Sequence, residues 1–164
     1  MEVRIELAYD RPQEIIRLFT EYTDSIIAKD TEVAKCLNSQ HYDDEVKELN
    51  EKYGLPNGRL YLAYLNRDIV GCVALRQLDV RFCEMKRLYV RPGYRGKHIG
   101  NALIKQMIAD ARQIGYKHMR LDTLYSIFHA AGFVNIVRKK SVDILILISY
   151  TVTNQSDKLS SRSK

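Results

Sequence analysis

The chain predicts an α/β fold of the α+β type, in which a mixed, mostly antiparallel central sheet is flanked by helices in a single domain. Three observations lead there. At 164 residues the chain has the length of one domain. Three strand-like segments, Arg59–Leu65, Ile69–Leu78 and Phe82–Val90, follow one another across short polar turns and read as an antiparallel meander. An amphipathic helix, Ile99–Ile114, then stands between the last of these and a further strand-like run, and a strand–helix–strand crossover demands parallel pairing.

Each element has its local reason. Val3, Ile5 and Leu7 alternate with polar residues, as in a half-buried strand. Asp10-Arg11-Pro12 is a helix start with proline in the first turn. The apolar spacing beyond it predicts one helix over 12–22 and a second over 25–34. A third helical stretch covers 43–52 and ends at Gly54, with Pro56 close behind. Asn57-Gly58 is a turn signal, Asn66-Arg67-Asp68 a tight hairpin, and Leu78 to Arg81 the next connection. In the long helix Ile99, Leu103, Met107, Ala111 and Ile114 make one stripe, and Gly115 closes it. His118–Thr123 reads as a strand, Tyr125–Ala131 as a short helical piece, and Phe133–Val137 and Val142–Val152 as two final strands. The domain is expected over 1–152, with a polar, serine-rich tail over 153–164.

Composition narrows the function. Hydrophobic residues at 46% and charged residues at 28% are those of a globular protein, which excludes a wholly disordered chain. A net charge of +6 is compatible with a solvated basic surface, nucleic acid, an anionic membrane surface or a polyanionic small ligand. The basic groups Lys86-Arg87, Arg91/Arg95/Lys97 and Arg138-Lys139-Lys140 are dispersed and lack aromatic interleaving, so nucleic-acid binding is not expected. Cys36, Cys72 and Cys83 have no metal or disulfide spacing and suit a reducing, cytoplasmic setting; no metal is expected. The first ten residues carry no apolar signal core, and the longest apolar stretch, Ile144–Ile148, is too short to span a bilayer.

The segment that carries chemistry is MKRLYVRPGYRGKHIGNALI, Met85–Ile104, where a strand, a turn rich in glycine and arginine and a helix follow in order. The first amides of a helix have no internal partner and lie at the positive end of its dipole. Glycines at 96 and 100 let a ligand approach the backbone, and Arg91, Arg95 and Lys97 add charge, so a pyrophosphate suits the turn. Neither the Walker pattern nor the G-x-G-x-x-G fingerprint is present.

The residues Arg95-Gly96-Lys97-His98-Ile99-Gly100, after Leu88-Tyr89-Val90-Arg91-Pro92, resemble the [QR]-x-x-G-x-[GA] signature of the GNAT acetyltransferase superfamily. Leu121-Asp122-Thr123 and Ala131-Gly132-Phe133 sit where that family has such residues, and the resemblance spans about Arg4 to Phe133. It implies acetyl-CoA as co-substrate. The pyrophosphate would lie on the amides of Arg95, Gly96, Lys97, His98, Ile99 and Gly100. The pantetheine arm would pair with the backbone of Leu88, Tyr89 and Val90, where a bulge parts that strand from its neighbour.

The chain departs from the pattern twice. His98 replaces the second glycine; helical dihedrals would tolerate it, and it would either face phosphate or point to solvent. Only eight residues, 124–131, separate Thr123 from Gly132, so the usual proton-donating tyrosine position is Phe128, and Tyr125 is the substitute donor or a packing residue. Glu84, on the strand leading to the turn, is the candidate general base, expected to share a face with Lys86 and Leu88, or else to be ion-paired with Lys86 or Arg87. The expected activity is direct transfer of acetyl to an amine of a small molecule or protein, by a monomer or homodimer. The alternative is an acyl-CoA-binding module with little turnover. Asp43, Asp44, Glu45 and Glu48 could attract a cationic amine or form a solvated helix face.

Overall fold

The computed structural model describes residues 2–28, 42–124 and 145–151. Six strands lie in chain order in one sheet: β1 (Val3–Leu7), β2 (Arg59–Leu65), β3 (Asp68–Gln77), β4 (Phe82–Val90), β5 (His118–Leu124) and β6 (Leu145–Thr151). The first four pair antiparallel, and β4–β5 and β5–β6 pair parallel. The sheet is therefore mixed, as the meander and crossover predicted.

The helices are α1 (Pro12–Ile27), α2 (Tyr42–Lys47), α3 (Leu49–Tyr53) and α4 (Ile99–Ile114), with a 3-10 turn at Pro92–Tyr94. Each face of the sheet has its own core. Beneath α4, Tyr61, Ala63, Leu65, Val73, Leu75, Cys83 and Met85 meet Ile99, Leu103, Ile104 and Met107. On the other face Leu60, Leu62, Tyr64, Cys72 and Ala74 meet Ile15, Leu18 and Phe19 of α1 and Leu49 and Tyr53 of α3. Coverage on both sides explains why β2 is apolar at consecutive positions instead of alternating. Each large side chain fully buried here contributes about 1.5–3 kcal/mol.

Two helical boundaries differ from expectation. Helix α1 continues through Tyr22 to Ile27 because Thr23 and Ile26 extend its buried stripe. The stretch expected as one helix over 43–52 breaks at Glu48, whose dihedrals (φ −115°, ψ 32°) leave the helix. Glu45 of α2 and Leu49 and Tyr53 of α3 are all buried. Helix α4 has the predicted bounds, closed by Gly115 at φ 107°. The hairpin between β2 and β3 turns on Asn66, at φ 56°. Cys72 and Cys83 are free and buried. The readings for Tyr125–Ala131 and Phe133–Val137, and for 29–34, lie outside the described residues. Among the described residues no helix is long and apolar enough to cross a membrane.

Candidate functional site

Strand β4 changes partners along its length. Its parallel pairing with β5 runs from Phe82 opposite His118 to Met85 opposite Leu121 and ends there. Beyond Met85, residues 86–90 keep β3 as a neighbour but have no strand partner on the β5 side among the described residues. The parting coincides with a β-bulge: Ala74 opposes Lys86 while Cys72 opposes Tyr89, so Arg87 and Leu88 together face Val73. Arg91 donates its amide to the Val70 carbonyl at 2.9 Å. By the alternation of an antiparallel ladder, Tyr89 then bonds toward β3, and Leu88 and Val90 turn their amides and carbonyls to the open edge. The Val90 carbonyl accepts a hydrogen bond from Arg95 Nε at 3.0 Å.

The bulge also reverses which side chains share a face. Cys83, Met85, Leu88 and Val90 lie toward α4, at spacings of two, three and two. Leu88 is thus on the opposite face from Glu84 and Lys86, against the expectation from simple alternation. Tyr89 packs on the α1 face, edge-on to Tyr22 with ring centroids 6.1 Å apart.

Past Val90 the chain makes the 3-10 turn and enters α4. The first backbone bond of that helix runs from Ala102 to His98 (3.0 Å), so the amides of Ile99, Gly100 and Asn101 precede it without a partner inside the helix. The Arg95 amide is already engaged with the Pro92 carbonyl at 3.3 Å, which removes it from the expected set of open donors. Gly96 has φ 79°, a conformation that favours glycine. Gly100 has no such requirement, and a Cβ added there would meet only Val90 Cγ2, at 3.8 Å.

His98 is the residue whose geometry departs most from expectation. It caps α4 with φ 60° and ψ 13°, in the left-handed region and not with helical dihedrals. Glycine would take this backbone without steric cost; histidine adopts it at a cost of about 1–2 kcal/mol. Its ring is exposed, 3.5 Å from the Asn101 side-chain amide.

The basic residues of the turn divide by role. Arg91 is committed elsewhere: it grips Glu21 of α1 through Nε (2.9 Å) and Nη2 (2.7 Å), and the Ile69 carbonyl through Nη1 (2.6 Å). That grip, with its charge, holds the Glu21 carboxyl below the usual carboxylate range. Arg95 and Lys97 are exposed beside the open amides, Lys97 with its ammonium 5.4 Å from the Tyr94 ring centroid.

Glu84 is buried, and Arg76, its cross-strand partner on β3, engages Oε2 through Nε. The ion-pair partner is thus neither Lys86 nor Arg87. Lys86 is half-buried next to it, with Glu45 and Glu84 nearby, and desolvation lowers its ammonium below the ordinary lysine value. Tyr125 and Phe128 lie outside the described residues. No group of three His, Cys, Asp or Glu side chains among the described residues could hold a metal.

A cluster that local sequence reading missed lies at the bulge. Arg87, at φ 55°, donates to Glu45 Oε1 from Nε (2.9 Å) and to Oε2 from Nη2 (2.6 Å). Tyr53 donates its hydroxyl to the same Oε1 at 2.5 Å, and Arg87 Nη1 lies 3.5 Å from Thr23 Oγ1. The Arg87 guanidinium carbon is 5.7 Å from the ring centroids of both Phe19 and Tyr22. Burial pushes the Glu45 carboxyl up, but the hydrogen bonds and charge of Arg87 outweigh it and leave the carboxyl below its ordinary value. Glu45 is therefore neither a lure for an amine nor part of a solvated face. The pair is 42 residues apart, so spacing could not reveal it; the three-residue step from Met85 to Leu88 was the one local sign of the bulge.

The fold, a mixed sheet flanked by helices, is shared with solved structures. An acetyltransferase of Staphylococcus aureus superposes with a TM-score of 0.63 over 82% of this chain and 81% of its own, at 23% identity. The PaiA N-acetyltransferase of Thermoplasma acidophilum, solved in complex with coenzyme A, has a TM-score of 0.62 over 82% of this chain and 89% of its own, at 17% identity. At such identities the likeness speaks for the fold. The family model described as acetyltransferase (GNAT) family matches residues 18–134, so this chain belongs to the GNAT acetyltransferases and is an acyltransferase. It is 26% identical over 201 aligned positions to an uncharacterised N-acetyltransferase of Dictyostelium discoideum, covering 82% of this chain and 90% of that one. It is 41% identical over 99 residues to an uncharacterised N-acetyltransferase of Schizosaccharomyces pombe, covering 57% and 59%.

Proposed function

We propose that the protein is an N-acetyltransferase that takes acetyl from acetyl-CoA and passes it to an amine by direct attack. The single observation that carries this reading is the continuity of two backbone surfaces, the edge of β4, where the Val90 carbonyl is taken by Arg95 Nε, and the open amides of α4. The open edge of β4 at Leu88–Val90 leads into the turn Gly96–Gly100 and the unpartnered amides that open α4. One surface suits an extended amide-bearing arm, by strand addition, and the other suits a pyrophosphate. The residues fit the co-substrate on a further count: nothing in the protein requires Gly100 to lack a side chain, whereas a closely approaching phosphate does.

In this reading Gly96, Lys97, His98, Ile99 and Gly100 hold the phosphates, with Lys97 and Arg95 supplying charge. Arg95 serves through its side chain, because its amide is engaged by Pro92. The backbone of Leu88 and Val90 holds the arm, while that of Tyr89, expected to share the role, turns toward β3. Acetyl-CoA supplies an activated acyl thioester. Glu84 lies on the α1 face, one residue before the strands part, and serves as the base that takes a proton from the acceptor amine. Arg76 fixes the orientation of its carboxylate. Tyr125 is the candidate proton donor to the departing thiolate. A family relationship to curated N-acetyltransferases supports nitrogen as the acceptor atom.

The test is a calorimetric titration with acetyl-CoA followed by release of free CoA thiol across a panel of amines. Saturable binding with amine-dependent thiol release is expected. Binding without release from any amine would leave a CoA-binding module and defeat the transferase reading. Glu84→Gln is expected to retain acetyl-CoA affinity and lose acetylation by about 10²–10⁴-fold; full turnover would remove Glu84 as base.

A further inference from the structure

We infer that Arg87 is a positioning residue, and that its buried pairing with Glu45, closed by Tyr53 and Thr23, sets how far β4 stands from β5. The inference rests on the proposal that the open edge of β4 receives acetyl-CoA.

Arg87 is the extra residue of the bulge, two positions after the last residue paired to β5. The left-handed backbone it adopts is sparsely populated by arginine and persists only where the surroundings enforce it. Here the enforcement comes from the side chain. The guanidinium and the Glu45 carboxylate keep only 3% and 5% of their side-chain surface exposed. Two parallel hydrogen bonds fix their mutual orientation, and the Tyr53 hydroxyl fixes the carboxylate from a third direction. A charge pair so enclosed is held to one geometry, because losing either partner leaves an uncompensated charge out of water. The strand cannot flatten to restore pairing with β5 without drawing Arg87 away from α2. Glu45 sits on the helix opposite, so the place of α2 and the opening of β4 are mechanically one variable.

Three variants test this. Glu45→Gln keeps the shape and removes the counter-charge. Arg87→Gly accepts the positive φ but removes the tie. Tyr116→Leu is a control, deleting a part-buried hydrogen bond to the Asn57 carbonyl at the far end of α4. Glu45→Gln and Arg87→Gly are each expected to raise the acetyl-CoA Kd about tenfold or more. They are also expected to shift the backbone amide NMR signals of residues 86–90 in the ligand-free protein. The control should lose thermal stability with Kd unchanged. Kd values within twofold of wild type in both variants, or unmoved signals at 86–90, would overturn the inference. Wild-type protein that fails to bind acetyl-CoA would refute the proposed function instead, and the ligand-free signals would still decide this point. Should both variants fail to fold, Arg87→Lys, which keeps the charge and loses the fork, is read by the same two measurements.

Discussion

Replacing Gly100 with alanine separates what the fold needs from what a ligand needs. The new methyl would sit at the second position of α4, tilted toward the helix N-terminus as every helical Cβ is. Inside the protein it meets only Val90 Cγ2, at 3.8 Å, an ordinary contact. Alanine is better than glycine in a helix by up to about 0.8–1.0 kcal/mol. The unfolding midpoint is thus expected to stay level or rise by up to about 2–4 °C for a domain of this size. The ligand pays the opposite way. The methyl stands over the amides of Ile99 and Gly100, where a phosphate oxygen must come within hydrogen-bonding distance. Losing one charge-assisted hydrogen bond costs about 1.5–3 kcal/mol, which is roughly a 10- to 150-fold rise in Kd. Calorimetric titration of Gly100→Ala with acetyl-CoA, beside a thermal melt of the free protein, reads both numbers. A stabilised variant that binds acetyl-CoA as tightly as wild type would refute placement of the phosphates on the first turn of α4.

Two further outcomes follow from the same geometry. His98 at φ 60° bears left-handed strain, so His98→Gly should leave stability unchanged or raise it by up to about 1 kcal/mol, and His98→Val should lower it by about 1–2 kcal/mol; equal urea midpoints for the two would show that residue 98 does not hold this conformation. Arg91 holds the Glu21 carboxyl, and Arg87 the Glu45 carboxyl, below the ordinary 4.5. The unfolded chain therefore takes up protons at higher pH than the folded one. Stability is fully present above about pH 4.5 and is lost as pH falls through the lower folded values. Urea midpoints measured from about pH 6 down to about pH 3 should fall, and less steeply in Glu45→Gln; parallel curves would show that this carboxyl is not depressed.

What could be read from the chain depended on whether its cause was local. The meander, the bounds of α4 and its glycine cap were legible because alternation, helical stripes and caps are short-range signals. The turn Arg95–Gly100 was legible because open amides follow wherever a helix begins. The αL backbone of His98 was half-legible: the glycine it replaces marked the position, but histidine's own preferences did not reveal the dihedral. Short-range rules failed at Arg87 and Glu84. Simple alternation placed Glu84 with Leu88, and the bulge between them put the two on opposite faces.

By itself the sequence determined the meander, the long helix α4, the mixed sheet and the family, since each is written in short runs of neighbouring residues. Only the tertiary structure decided which charges are spent and which remain. It joined Arg91 to Glu21 across 70 residues, Arg87 to Glu45 across 42 and Glu84 to Arg76 across the strand pair, and left Arg95 and Lys97 exposed at the open turn. The physical reason is that a charge leaves water only for a partner brought to it by packing, and that partner's place in the chain carries no local mark.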